Sequence, residues 1–280
     1  IWADSEWAEA CAGTWQPCEF YKVRAVYRET SYGPQLDIRK VRSVEKSDRE
    51  AGFDPAMCLP HSRFDPEEMW TELRTLIEQH VDDEQLRTLV LKLLDDYQED
   101  FRQFPAARRN HHAYASGLLE HVLNVTRTAL YLAVRYGELY PDMCPPLDKG
   151  LVVAGAVLHD VGKLREYDCG PEGAEYSPSG HLIGHILQGR DMLREAAAEC
   201  DLNEETLLRL EHIIVAHQRL PEYGSPKRPL TPEAMLVHYA DDIDAKMNMV
   251  YQILRDDALR GPMTSGRNVL GHPLFRGLDG

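Results

Sequence analysis

The sequence predicts a mainly α-helical protein in which a helical bundle follows a partial small β-barrel segment. Two observations support this prediction. Across residues 64–260 the apolar residues recur with the three-to-four-residue spacing of amphipathic helices. Before them, residues 19–46 alternate between the two faces of a strand. We therefore divide the chain into a β segment (1–46), a linker (47–63), a helical domain (64–260) and a C-terminal tail (261–280).

The β segment is predicted to contain a hairpin. Its two halves, FYKVRAVYRE and LDIRKVRSV, are rich in β-branched and aromatic residues, and SYGPQ between them has the composition of a turn. Ile1 and Trp2 are expected to end a preceding strand. Because two or three strands cannot bury a face alone, we expect the first strands of the barrel to precede residue 1.

Helix signals begin after the linker. Asp65-Pro66-Glu67 and Thr231-Pro232-Glu233 each combine an N-cap side chain, a proline at the first helical position and an acid in the first turn. One helix is therefore predicted to start at Asp65. Six more are predicted to cover residues 82–102, 116–136, 148–160, 181–198, 204–217 and 232–257. The Gly-containing tail is predicted to be extended.

Composition excludes several classes of protein. There is no run of 18 apolar residues and no basic, apolar leader, so we expect neither a membrane span nor a signal peptide. The six cysteines form no CxxC pair, which is typical of reduced thiols in the cytoplasm. The net charge of −15 argues against a broad nucleic-acid-binding surface, although residues 19–46 have seven basic against four acidic side chains.

Histidines and aspartates stand in a fixed order on five apolar segments. The segments are GLLEHVLNV, LVVAGAVLHD, GHLIGHI, HIIVAH and LVHYA followed by Asp241. A single histidine in an apolar stripe is more often a hydrogen-bonded core residue, but five such coincidences favour a divalent metal centre inside a helical bundle. Histidine and carboxylate ligands without thiolates suit Mn²⁺, Fe²⁺, Mg²⁺ or Zn²⁺. With no GxSxG motif, hydrolysis by metal-activated water is the predicted chemistry.

The ordered pattern H…HD…H…H…D resembles the HD-domain metal-dependent phosphohydrolase superfamily. Five stretches are more narrowly similar to the YhaM-type 3'-5' exoribonucleases. These are NHHAYASGLLEHVL, AGAVLHDVGKLREY, GHLIGHILQG, HIIVAHQRLPEYGSPKRPLTPEA and HYADDIDAKM. The hairpin sequence is similar to the last strands of that family's N-terminal OB-fold. The resemblance covers nearly the whole chain, and LHDVGK combined with EYGSPK and ADDIDAK is specific.

The resemblance implies a set of metal ligands, and it implies Asp160 and Lys163 as the catalytic residues. The ligands are His121, His159, Asp160, His185, His217 and Asp241. Asp160 is the expected bridging ligand if two ions bind, and Lys163 is expected to contact a phosphate oxygen. Gln218 departs from the family pattern, because many relatives have a histidine at this position. The number of bound ions, one or two, is therefore left open. The expected ion is Mn²⁺, with Fe²⁺, Mg²⁺ and Zn²⁺ as alternatives.

The implied substrate is single-stranded RNA, with DNA as an alternative. Whether the chain forms a homo-oligomer is left open. Expected substrate contacts besides Lys163 are His112 before the first ligand helix, Lys227 and Arg228 in the EYGSPKRP loop, and Tyr27 and Arg24 in the hairpin. In the hairpin, the rings of Tyr27, Tyr21 and Tyr32 would stack on bases, and the basic side chains would contact phosphates. His181, His212 and His238 are expected to pack against or support the ligands.

Two other functions stay open at this point. The first is hydrolysis of small or cyclic nucleotides, which would use the same ligands and differ only in the pocket. The second is a non-catalytic RNA-binding protein, in which Gln218 marks a degenerate metal site.

Overall fold

A computed structural model describes most of the chain, in two compact units (Ile1–Leu59 and Pro60–Gly280). The described residues are 5, 7–16, 19–30, 33–54, 58, 60–170 and 173–278. The boundary between the units falls inside the predicted linker. The predictions made for Ile1, Trp2 and Tyr32 lie outside the described residues.

The first unit contains the predicted hairpin. Strands β1 (Tyr21–Thr30) and β2 (Gly33–Ser43) pair antiparallel, with a bulge after Arg24. Two short helices flank the hairpin, α1 (Ala8–Gly13) and α2 (Lys46–Glu50). A β segment before a helical domain is thereby confirmed, whereas its OB-like character stays a prediction.

The second unit is a bundle of helices. They are α3 (Pro66–His80), α4 (Glu84–Asp96), α5 (Gln98–Gln103), α6 (Gly117–Leu139), α7 (Lys149–Leu158), α8 (Lys163–Glu166), α9 (Pro178–Leu182), α10 (His185–Ala197), α11 (Glu204–Ala216) and α12 (Pro232–Asp256). Helix α7 is the central element, because α3, α4, α6, α11 and α12 all pack against it. Its residues from Leu151 to Leu158 are all buried, as expected for an apolar segment surrounded by other helices.

Two predicted helices are each divided in the structure. The segment 82–102 breaks at Tyr97 into α4 and α5, and the segment 181–198 breaks at Gly184 into α9 and α10. Phe101 lies seven residues after Leu94 and both are buried, so the apolar spacing continues across the first break and does not reveal it. Gly184 has a φ of +78°, a left-handed conformation that glycine adopts without a steric penalty.

Two further features were absent from the prediction. A second hairpin, β3 (Tyr167–Gly170) and β4 (Gly173–Tyr176), lies between α8 and α9. Its strands are four residues long, too short for a clear alternation of apolar and polar residues. The tail also folds back on itself, since the Thr264 amide donates to the Leu274 carbonyl at 2.8 Å and Arg276 pairs with Asp257 at 2.6 Å.

Within the described residues, no helix combines the length and the apolar character that crossing a membrane requires.

The start of α4 offers a local test of the fold. The Asp83 carboxylate accepts hydrogen bonds from the Gln85 and Leu86 amides, both at 2.9 Å. Replacing Asp83 by alanine leaves these amides without that partner and should lower the free energy of unfolding by about 1 kcal/mol. The matched control is Asp82→Ala, one residue earlier and outside the cap, with an expected change below about 0.5 kcal/mol. Urea denaturation measures both, and equal changes would contradict the capping role.

Candidate metal centre

Side chains from five segments of the second unit meet in its interior. His121 lies in α6, His159 and Asp160 form the turn after α7, and His185 is the first residue of α10. His217 directly follows α11, and Asp241 lies in α12. The side chains of His121, His159 and His217 are 0% exposed. The six predicted ligands are therefore brought together in a buried cluster.

One carboxylate oxygen of Asp160 faces the first group of ligands. Its Oδ2 atom lies 3.4 Å from the Nε2 atoms of both His121 and His159. The Oδ1 atom of Asp241 lies 3.3 Å from the same nitrogen of His121. His121, His159 and Asp160 thus have ligand atoms close enough together to hold one ion, and Asp241 lies beside them. Histidine and carboxylate donors suit Mn²⁺, Fe²⁺ or Zn²⁺.

The other oxygen of Asp160 faces the second group. Its Oδ1 atom lies 3.5 Å from the Nε2 atoms of both His185 and His217. Among the described residues, Asp160 Oδ1 and His217 Nε2 are buried polar atoms without a hydrogen-bond partner. Such atoms are costly unless a cation or a donor satisfies them. The side-chain amide nitrogen of Gln218 lies 3.2 Å from His185 Nε2, so Gln218 lies at the edge of the group formed by Asp160, His185 and His217.

Hydrogen bonds on the far side of each imidazole orient the four histidines. The pairs are His159 Nδ1 with Ala156 O and His217 Nδ1 with Ile214 O at 2.7 Å, His121 Nδ1 with Asp244 Oδ2 at 2.7 Å, and His185 Nδ1 with Glu166 Oε1 at 3.0 Å. A carbonyl oxygen only accepts, so Nδ1 of His159 and His217 holds the proton. In the neutral imidazole Nε2 then keeps its lone pair for a metal.

Charges around Asp160 keep it ionised. Burial alone would raise the pKa of Asp160, but the Lys163 ammonium and the neighbouring imidazoles hold that pKa well below its usual range. The Lys163 Nζ atom lies 2.6 Å from Asp160 Oδ2, and the lysine is 4% exposed. Burial lowers the pKa of His217. An ionised carboxylate and a neutral imidazole are the protonation states that bind metal.

Asp244 and Glu166 were not identified from the sequence. Each carboxylate accepts from a ligand histidine, and Asp244 Oδ2 also lies 2.8 Å from His112 Nε2. Asp244 follows Asp241 by three residues on one helix, and this spacing places both on neighbouring positions of one face. That spacing was the available signal, whereas nothing in LREY marks Glu166 as buried.

His112 lies beside Asp244 and does not line the two cavities that contain Lys163. It is 1% exposed, and its other ring nitrogen lies 2.7 Å from the Tyr114 hydroxyl. Both ring nitrogens are therefore engaged within the protein, and His112 lines a third cavity, with Tyr114 and Asp244; its substrate contact stays a prediction. The neighbouring His111 lines the two cavities that contain Lys163, and burial together with Lys163 lowers the pKa of its imidazole to about 3.

Two adjacent cavities open beside the metal centre. The first, about 640 Å³, is called here the strand cleft, and its lining includes Asn110, Arg219, Tyr239, Asp242, Lys246 and Val269. The second, about 390 Å³, is called the hairpin pocket, and its lining includes Tyr167, Tyr176, Ile183, Ile186 and Leu187. His111, Lys163, Gln218 and Tyr223 line both. Arg219 and Val269 were not identified from the sequence.

The remaining predicted substrate contacts lie outside these cavities. Lys227 and Arg228 are exposed and directly follow Pro226, which lines the hairpin pocket. Tyr27 and Arg24 are exposed on β1 in the first unit. Of the histidines expected to support the ligands, His238 does so, because its Nδ1 donates to the His217 carbonyl at 2.7 Å.

Comparisons with known proteins place this site in a family. The HD domain family matches residues 118–246, which include all six predicted ligands. The chain is 34% identical over 223 residues to the 3'-5' exoribonuclease YhaM of Bacillus pumilus, covering 79% of this chain and 66% of that protein. It is 32% identical over 239 residues to the Bacillus licheniformis enzyme of the same name, covering 81% and 73%. The chain belongs to the YhaM family. No solved structure matches it significantly.

Membership of the YhaM family confirms the resemblance inferred from the sequence motifs. It also confirms the predicted enzyme class, a metal-dependent hydrolase of the HD-domain type. The geometry agrees with this class, because two groups made of predicted ligands have the spacing needed to hold an ion, His121–His159–Asp160 and Asp160–His185–His217.

Proposed function

We propose that this chain is a cytoplasmic, metal-dependent 3'-5' exoribonuclease that removes nucleotides from single-stranded RNA. The observation that supports it most is Asp160, whose two oxygens face two separate groups of histidines. Shared carboxylates are a feature of two-metal phosphodiester hydrolysis. The two YhaM relatives supply the substrate class, since both are 3'-5' exoribonucleases. Mn²⁺ is the proposed ion, with Fe²⁺, Mg²⁺ and Zn²⁺ as alternatives.

The ligand residues define what the site can do. His121, His159, Asp160 and Asp241 would hold one ion, and Asp160, His185 and His217 would hold a second. A bound divalent ion lowers the pKa of a water molecule and supplies hydroxide near neutral pH. In hydrolysis, water adds to phosphorus, the bond to the leaving oxygen breaks, and that oxygen takes up a proton.

The protein's own cations would bind the substrate backbone. Lys163 lines both cavities beside Asp160 and is proposed to neutralise charge on the phosphoryl oxygens. Arg219 in the strand cleft has a left-handed backbone conformation, with a φ of +67°. A non-glycine residue in this region is uncommon and is often found at functional sites. Lys227 and Arg228, and Tyr27 with Arg24, are proposed to contact more distant nucleotides.

Product analysis tests this proposal. An RNA oligomer labelled at its 5' end should shorten one nucleotide at a time from the 3' end in the presence of Mn²⁺, with mononucleotides as products. A DNA oligomer of the same sequence, assayed in parallel, measures the preference for RNA. Cleavage of free or cyclic nucleotides, with the oligomer left intact, would contradict the proposal and support the small-nucleotide alternative.

A methionine in place of Lys163 should separate catalysis from metal binding. The thioether side chain is similar in length but has no charge, so stabilisation of the phosphoryl oxygens is lost. The turnover number should fall by about 10²- to 10³-fold. Mn²⁺ should still bind, because no nitrogen or oxygen ligand has been removed. A turnover number within about threefold of the unmodified chain would exclude the proposed role.

A further inference from the structure

We propose that the hairpin pocket binds the nucleoside of the 3'-terminal nucleotide, whereas the strand cleft receives the preceding nucleotides. This inference rests on the proposed exoribonuclease function and assigns the two cavities to the two sides of the scissile phosphate. The ligand class of the pocket is a single nucleobase with its ribose.

The position of the metal centre supports this division. Lys163 and Gln218 lie in the walls of both cavities, so the ligand cluster stands where the two cavities meet. A phosphodiester has one nucleoside on each side of its phosphorus atom. When the phosphate lies at the metal centre, each cavity therefore takes one side of the substrate.

Both cavities have exposed apolar side chains, including Tyr239 and Val269 in the strand cleft, and they differ in the side chains that only one of them contains. Ile183 and Leu187 line only the hairpin pocket and are 50% and 43% exposed, so apolar surface lies uncovered beside the metal centre. Exposed apolar surface of this kind commonly marks a binding site. Arg219 lines only the strand cleft, where it can contact the backbone of a polynucleotide, whereas Lys246 in the same cleft is paired with Asp242 at 2.7 Å. A base therefore fits the first cavity better, and a chain of phosphates fits the second.

Tyr223 has the features of a stacking platform. It ends a 3-10 turn that starts at Pro221, and its amide donates to the Leu220 carbonyl at 3.0 Å. The following Gly224 has a φ of +103°. The Ser225 hydroxyl accepts a hydrogen bond from the backbone amide of Gln218 at 3.0 Å. This hydrogen bond holds the turn next to Gln218 at the metal centre. In the described part of the chain, no aromatic ring contacts the Tyr223 ring.

The size of the hairpin pocket sets the number of nucleotides. Its volume of about 390 Å³ is near the lower end of the roughly 300–1,000 Å³ range of small-molecule pockets. One nucleoside suits this volume better than two. The pocket wall is formed by Tyr167 and Tyr176 of the second hairpin, whose ring centroids are 5.1 Å apart.

Equilibrium binding of product-like probes tests the assignment. Adenosine 5'-monophosphate and ribose 5-phosphate differ only in the base, and both can be titrated into the Mn²⁺-loaded chain by calorimetry. The monophosphate with the base should bind about 5- to 100-fold more tightly, the ratio expected for stacking on one aromatic ring. Tyr223→Ala should remove most of this ratio, and Tyr223→Phe should preserve it. Because Tyr223 lines both cavities, Leu187→Ser in the hairpin pocket should also lower the ratio, and Tyr239→Ala in the strand cleft should leave it unchanged; the reverse result would overturn the assignment. The control is Tyr131→Ala, an α6 tyrosine that is 69% exposed and lines neither cavity.

The outcomes distinguish the pocket from the function. Equal affinity for the two probes, or an unchanged ratio in Tyr223→Ala, overturns the pocket assignment even if the chain degrades RNA to mononucleotides. A Tyr223-dependent preference for the base, in a chain that leaves RNA oligomers intact, supports the pocket and contradicts the exoribonuclease activity.

Discussion

Asp160→Asn should reduce the rate of RNA hydrolysis by about 10³-fold or more. The reason is geometric, because the two oxygens of this carboxylate lie within 3.5 Å of imidazoles from both groups of ligands. Asparagine has nearly the same shape but no negative charge, and it offers only one oxygen. Initial rates with 5'-labelled RNA and saturating Mn²⁺ measure the loss.

The control for this substitution is Asp256→Asn. Asp256 is the last residue of α12, its side chain is 58% exposed, and it pairs with Arg255 outside the metal centre. The control should retain full activity, and circular dichroism should show the same helical content for both variants. A folded Asp160→Asn protein with more than about a tenth of the original rate would contradict the shared-ligand role.

Gly162→Ala should cause the largest loss of stability among the predictions, about 3 kcal/mol or more in the free energy of unfolding. A Cβ atom at residue 162 would lie 1.9 Å from the His185 carbonyl oxygen and 2.4 Å from the Gly189 amide nitrogen. Both are backbone atoms of α10, which cannot move aside as a flexible side chain can. The start of α10 would have to shift, and His185 with it, so Mn²⁺ affinity should also fall.

A second glycine provides the matched control. Gly137 lies in α6, and a Cβ atom there would meet no atom within 4 Å. Because alanine favours the helix over glycine, Gly137→Ala should raise the free energy of unfolding by up to about 1 kcal/mol. Urea denaturation of both variants gives the comparison. An unfolding free energy for Gly162→Ala equal to that of the unmodified chain would exclude the predicted close approach.

The clustering of the six predicted ligands could be anticipated from the sequence, because histidines and aspartates on apolar segments are conspicuous. His159 and Asp160 end a segment in which eight successive residues are buried, and a charged group there has few roles other than binding a cation. Helix starts were equally predictable, since Asp65 and Thr231 cap α3 and α12 with their side chains as expected. In each case one residue type at one position has a single favoured physical role.

The rest depended on contacts between distant parts of the chain. His111 and His112 are adjacent, and only the fold shows that the first lines the cavities while the second supports Asp244. The Asp244–His121 contact joins residues 123 positions apart. Val269 reaches the strand cleft because the tail folds back through the Arg276–Asp257 pair. Local periodicity has no information on such pairings.

Titration of the purified, metal-stripped chain with Mn²⁺ tests the central claim most directly, with bound ion measured by calorimetry. The unmodified chain should bind one or two ions, and both Asp160→Asn and His159→Ala should bind at least about tenfold more weakly. The number of ions also decides whether the group containing His185, His217 and Gln218 is occupied. Mn²⁺ binding of equal affinity and stoichiometry in all three proteins would contradict a metal centre at these residues.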